Sequence, residues 1–186
     1  MEKIFGIGWA RTGTKTLGAC FKILGFKHQS RRLDLVEKVS QGDYRKVVNI
    51  AHKYQSFEDW PWIILYKELD VLFPGSKFIL TIRDKEKWIK SYRNLLEIEG
   101  NPTNKLIKIR RFIYDLPFPD VSDSNLIHRY MKHNDDVINY FQSRQKQLLI
   151  VDWEKGDGWN ELCSFLGIKV PNKEFPHKNR GKYIKH

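Results

Sequence analysis

The chain reads as an α/β fold of three layers, with a central parallel sheet flanked by helices. Three observations predict it. The chain opens with an apolar run, a glycine-rich stretch and a helical stripe: Ile4 to Ile7, then Gly8 to Gly13, then Leu17, Cys20, Phe21 and Leu24 on one face. Two more short apolar, partly β-branched runs follow, at 78–82 and 147–152, with charges or Pro-Gly at their ends. Helical periodicities fill the intervals, and strands alternating with helices predict parallel pairing with helices on both faces.

The elements follow in order. The first helix stops at Gly25-Phe26, where glycine suits the residue after a helix end, and His28 lies in a polar connection. Residues 34–54 carry Val36, Val39, Val47, Val48 and Ile50 among charges, which predicts one or two short helices. Phe57 to Trp62 leads into a helix reaching Leu72, with Asp59 as its N-cap and Pro61 in its first turn. Asp84 caps a helix with Trp88, Tyr92 and Leu95 on one face; the position of Trp88 and Trp159 on such stripes marks them as core. Residues 102–115 form a basic helix, its 105–111 cluster a solvated face or a lid. A long helix runs from about Ser122 to Ser143, and a last one carries Trp159, Leu162, Cys163 and Leu166 up to Gly167. Residues 1–186 are expected to form one domain, with a basic tail from about 171.

Composition narrows the function. A formal net charge of +11 over 186 residues favours an anionic partner, either a charged nucleotide or nucleic acid. The two cysteines, Cys20 and Cys163, both fall on apolar stripes without neighbouring ligands, which argues against a disulfide framework or a zinc site. No apolar run approaches the roughly 18 residues of a membrane span, and no leader precedes the first strand, so a soluble, cytoplasmic protein without a membrane partner is expected.

The stretch Gly8-Trp9-Ala10-Arg11-Thr12-Gly13-Thr14-Lys15-Thr16 is a phosphate cradle in form. Glycines allow a tight turn with exposed N–H groups, the helix adds its N-terminal donors, and Arg11 and Lys15 add charge. The spacing of Gly8 and Gly13 matches the nucleotide-binding P-loop, so the fold is expected to be P-loop-like. Yet Lys15 and Thr16 come one place late for the usual lysine and Mg²⁺-binding hydroxyl. That weakens an ATP-dependent kinase or NTPase, for which Asp84 is the one obvious metal carboxylate.

The spelling Arg11-Thr12-Gly13-Thr14 directly after a first strand resembles the 5′-phosphosulfate loop of sulfotransferases that use 3′-phosphoadenosine 5′-phosphosulfate (PAPS). Many members have lysine in the place of Arg11; arginine keeps the charge but does not serve as an acid. A second match follows. The family ends a strand in Arg-Asp-Pro and has a serine eight residues after the arginine, and here Arg83-Asp84 and Ser91 fill those places, with Lys85 for the proline. The resemblance implies that Arg83 and Ser91 hold the 3′-phosphate. It also implies that Arg11, Thr12, Gly13, Thr14, Lys15 and Thr16 hold the 5′ side, and that Lys178 and Arg180 of the tail close over the donor. Thr14 and Thr16 are also read as helix N-caps. The product is then adenosine 3′,5′-bisphosphate (PAP), no metal is expected, and the acceptor is a hydroxyl or amine of a small molecule or glycan. Arg11 would stabilise charge, and the base is Asp59 or His28; Asp59 as a mere cap and His28 as an exposed loop residue remain open.

Overall fold

A computed structural model describes residues 2–176. Five strands, β1 (Ile4–Gly6), β2 (His28–Gln29), β3 (Ser56–Phe57), β4 (Lys77–Thr81) and β5 (Leu148–Val151), form one sheet in the order β2-β3-β1-β4-β5. Every pairing is parallel. Eight α-helices surround it among the described residues: α1 (Thr14–Ile23), α2 (Leu33–Ser40), α3 (Arg45–Lys53), α4 (Tyr66–Leu72), α5 (Lys85–Glu99), α6 (Asn104–Tyr114), α7 (Asp123–Phe141) and α8 (Trp159–Leu166). The expected three-layer, P-loop-like α/β architecture is the one observed.

Strand alternation separates two buried layers, because successive side chains point to opposite faces. Phe5, Phe57 and Phe78 lie in register on three neighbouring strands, with ring centroids 4.9 and 5.5 Å from Phe5, and pack with α2, α3, α4 and α7. Ile4, Ile79 and Val151 face the other way, onto Leu17, Cys20 and Phe21 of α1 and Leu162 and Cys163 of α8. Leu17 and Phe21 are wholly buried, and each such side chain contributes roughly 1.5–3 kcal/mol. A third cluster, with Trp9, Trp60, Trp88, Tyr92, Tyr114 and Tyr130, roofs the end where the strands terminate. Among the described residues no helix is long and apolar enough to cross a membrane.

Several boundaries differ from expectation. β2 and β3 have two residues each, too few to show a period; β3 is held by pairing with β1, and β2 by pairing with β3. Residues 57–72 do not form a single capped helix. After β3 the chain turns through Asp59, makes a short 3-10 helix at Trp62–Ile64 and only then enters α4. Asp59 has φ 69° and its Oδ1 accepts the next residue's amide, Trp60 N, at 2.7 Å, so it caps no helix. The N-cap of α1 is Gly13, without a side-chain cap, so Thr14 and Thr16 do not serve as one. His28 is not an exposed loop residue: its side chain is 2% exposed, against Glu58. Arg110 is likewise buried, so the basic run of α6 is not simply a solvated face.

Candidate functional site

β1 hands the chain to α1 on one side of the sheet and β4 leads towards β5 on the other, so a crevice opens between the carboxyl ends of β1 and β4. Residues 7–13 cross that end. Gly8 is there because a Cβ would lie 2.1 Å from Thr81 Oγ1 and 2.4 Å from Thr81 O. Gly13 has φ 95°, and a Cβ on it would lie 2.3 Å from the Trp153 indole. Arg11 also turns in the left-handed region, with φ 73°.

The loop's carbonyls are claimed from behind. Thr12 Oγ1 donates to Trp9 O at 2.6 Å, Trp88 Nε1 to Ala10 O at 2.9 Å, and Arg83 Nη1 to Arg11 O at 3.4 Å. The Thr12 amide is also engaged, on Trp9 O at 3.2 Å, so the donors offered at this end are those of the α1 N-terminus, where first-turn amides lack acceptors within the helix. Two residues of α7 fix the frame. His133 Nε2 meets Ile7 O at 2.7 Å, and burial pulls this imidazole down to about 4, so it is neutral with the proton on Nε2. Tyr130 Oη accepts from Arg83 N at 2.8 Å and donates to Arg83 O at 2.7 Å.

These constraints join two segments far apart in sequence. Arg11 Nε donates to Ser91 Oγ at 2.9 Å while Arg83 bonds the Arg11 carbonyl, so loop, strand end and helix α5 meet at one point. Burial first, and then the neighbouring Arg83, lowers the Arg11 guanidinium from its ordinary value. Arg83 also pairs with Glu154 at 2.6 Å, and its buried Nε has no hydrogen-bond partner among the described residues.

A cleft of about 690 Å³ passes over this point. Arg11, Thr12, Gly13, Thr14, Lys15, Thr16, Arg83 and Ser91 all line it, and so does Asp59. Burial, then the adjacent Glu58, pushes the Asp59 carboxyl up to about 6, against the pull of the Trp60 amide, Arg31 and Lys15. Such a group is ionised near neutrality yet basic enough to take a proton.

His28 does not line the cleft. Its Nδ1 lies 3.0 Å from Ser56 Oγ and its Nε2 3.6 Å from Glu58 Oε1, in a buried group behind α1. Lys178 and Arg180 lie outside the described residues. Asp84, the metal carboxylate a kinase would need, accepts the amides of Glu86 and Lys87 at 3.1 and 3.0 Å and caps α5.

Sequence reading missed other lining residues, notably Trp60, Lys87, Tyr92, Tyr114 and Glu154. Lys87 was findable, since it precedes Ser91 by one helical turn. Glu154 follows a strand whose carboxyl end faces the crevice. Arg110 belongs to the 105–111 cluster that the sequence offered as a lid, whereas Tyr114 gave no signal, for it arrives from α6 by tertiary packing; Arg110 pairs with Glu99 of α5.

Sheet order, strand-loop-helix turn and cation-lined cleft define a P-loop-like α/β protein whose candidate site sits at the strand ends. The family model described as a sulfotransferase domain matches residues 3–184, and the chain belongs to that family. It is also similar to the Ava biosynthesis cluster protein M of Aspergillus versicolor, 28% identical over 213 residues that cover 94% of this chain and 80% of the relative.

Proposed function

We propose that the protein moves a sulfuryl group from PAPS to a hydroxyl or amine of a small-molecule or glycan acceptor. The observation that carries this reading is the junction of Arg11, Arg83 and Ser91. Residues some seventy to eighty places apart share one point through bonds of 2.9 and 3.4 Å. The site also fits a doubly phosphorylated nucleotide on its own terms. The cleft gathers Arg11, Lys15, Arg83 and Lys87 on its walls, and Arg83 Nε is buried with no acceptor among the described residues.

When bound, the donor supplies the activated sulfur and a leaving phosphate oxygen. In this reading the loop amides with Lys15 hold the 5′ side, and Arg83 with Ser91 holds the 3′-phosphate by charge-assisted hydrogen bonds. Lys178 and Arg180 are proposed to complete that shell. Asp59 takes the proton of the acceptor as its oxygen or nitrogen bonds to sulfur and the bridging sulfur–oxygen bond breaks; the freed electron pair stays on PAP. Arg11 and the loop N–H groups stabilise that developing charge. His28, outside the cleft, is not given this role. The transferred group bears a single negative charge, which the protein's own cations can balance without Mg²⁺.

A thermal-unfolding comparison tests the reading. PAP without metal should stabilise the protein, by about 2.7 kcal/mol when present at a hundredfold excess over its dissociation constant. Stabilisation by ATP with Mg²⁺ and none by PAP would overturn it in favour of a kinase or NTPase.

A further inference from the structure

Beyond β5 the cleft wall carries a carboxylate among cations. Asp152 starts the turn: its amide donates to Asp157 Oδ2 at 2.7 Å, and its Oδ1 accepts the Glu154 amide at 3.0 Å. The turn sends Glu154 back towards β4 and α5. There Glu154 Oε1 lies 2.6 Å from Arg83 Nη2 and Oε2 lies 3.1 Å from Lys87 Nζ. Lys87 and Ser91 are four residues apart on α5, so both project from one face towards this spot.

Two oxygens on one negatively charged centre, bridging a guanidinium and an ammonium beside a serine, present what one edge of a phosphate would present. The bridge is not locked in. Glu154 is 37% and Lys87 61% exposed, so water reaches the carboxylate and can replace the Lys87 contact at small cost, while Arg83 is 18% exposed. It also underuses Arg83: Nη2 is engaged, while Nε, which could complete a two-point fork, has no partner among the described residues. A dianion able to reach both nitrogens therefore has a better fit than the resident carboxylate.

We infer that Glu154 is a resident counter-ion occupying the place of the donor's 3′-phosphate between Arg83 and Lys87, and that Lys87 becomes a ligand of that phosphate once Glu154 turns out. The inference rests on the donor reading above and adds two residues to it. Its electrostatic logic is an exchange. Without the carboxylate, Arg11, Arg83 and Lys87 would crowd one wall uncompensated; with both carboxylate and phosphate, like charges would meet. Swapping one anion for the other leaves the cations of the wall partly compensated in both the empty and the loaded states. A nucleotide with a bare 3′-hydroxyl has nothing to offer the two cations, so it leaves the bridge closed, and Glu154 thereby sharpens selection for the 3′-phosphate.

Calorimetric titration of the full chain with PAP and with adenosine 5′-phosphate tests this. Glu154→Gln should bind PAP about fivefold more tightly than the wild type, the scale of one half-exposed ion pair, and bind adenosine 5′-phosphate unchanged. Lys87→Met should bind PAP about fivefold more weakly, again without effect on adenosine 5′-phosphate. The empty Glu154→Gln protein should unfold at a lower temperature, while its gain on adding PAP should be larger. Glu154→Asp, one methylene too short to bridge both cations, should fall between the two. Unchanged or weaker PAP binding by Glu154→Gln overturns the inference, as does an equal gain for both nucleotides. If the wild type binds PAP and the variant gains nothing, only this inference fails; a wild type that does not bind PAP removes the donor reading as well.

Discussion

The loops leaving β1 and β3 begin alike and end with opposite electrostatics. Each starts at the carboxyl end of neighbouring parallel strands, and each contains a charged residue in the left-handed region, Arg11 at φ 73° and Asp59 at φ 69°. In the first loop, donors behind the chain take the carbonyls of Trp9, Ala10 and Arg11, and the cations Arg11 and Lys15 line the cleft. In the second, burial and Glu58 act on a carboxyl that faces the same cleft, holding it at about 6. In the proposed reading one strand end receives negative charge and its neighbour a proton. A transfer reaction needs both, side by side, and the parallel sheet supplies the adjacency.

The comparison can be broken most severely at the proton-accepting loop. Asn tolerates the left-handed conformation, so Asp59→Asn should keep the fold while lowering turnover by about 10²–10⁴-fold, with PAP affinity unchanged. Steady-state kinetics beside PAP titration would show the split; a parallel loss of both would mean that Asp59 serves binding instead.

On the anion-receiving side the expected effect is smaller and of the other kind. Arg83→Ala should weaken PAP binding by about 10–100-fold, as removal of charge-assisted bonds does, and Arg11→Ala should act chiefly on turnover. Equal changes in both parameters for both variants would erase the distinction between holding the donor and stabilising its charge.

The pH dependence sharpens the contrast further. Asp59 must be ionised to accept a proton, so turnover should fall as pH drops through about 6. Stability runs the opposite way. The folded carboxyl holds its proton more firmly than the ordinary 3.8, so stability from this group is present below 3.8 and lost as pH rises towards about 6. Glu58→Gln removes the negative neighbour, and the acid limb of the activity profile should move down by less than about one unit. A limb that stays in place would separate Glu58 from the tuning of Asp59.

Much of the first loop was legible from neighbouring residues alone, because glycine spacing, a strand before and a helix after are local facts. Arg83 and Ser91 were legible through the family resemblance, which has an arginine at a strand end and a serine eight residues later; here Ser91 lies in the second turn of α5. The second loop was less so. Asp59 stands out in the sequence both as a candidate base and as a helix cap; the cap reading fails because β3 has only two residues and the following α-helix starts seven residues later, at Tyr66. His28 looked like a loop histidine because β2 is as short, and its burial behind α1 comes from Gly18, Ser56 and Glu58 closing around it.

By itself the sequence determined the parallel α/β class and the strand-loop-helix cradle, since each rests on periodicity or spacing within a few turns of chain; that Arg83 and Ser91 belong with the cradle was implied by the family resemblance alone. Only the tertiary structure decided that Arg11 reaches Ser91, that Asp59 lies in the cleft while His28 does not, and that Glu154 bridges Arg83 and Lys87. Those are contacts between elements far apart in the chain. Their geometry follows from how helices pack over the strand ends, which burial enforces and which no local pattern encodes.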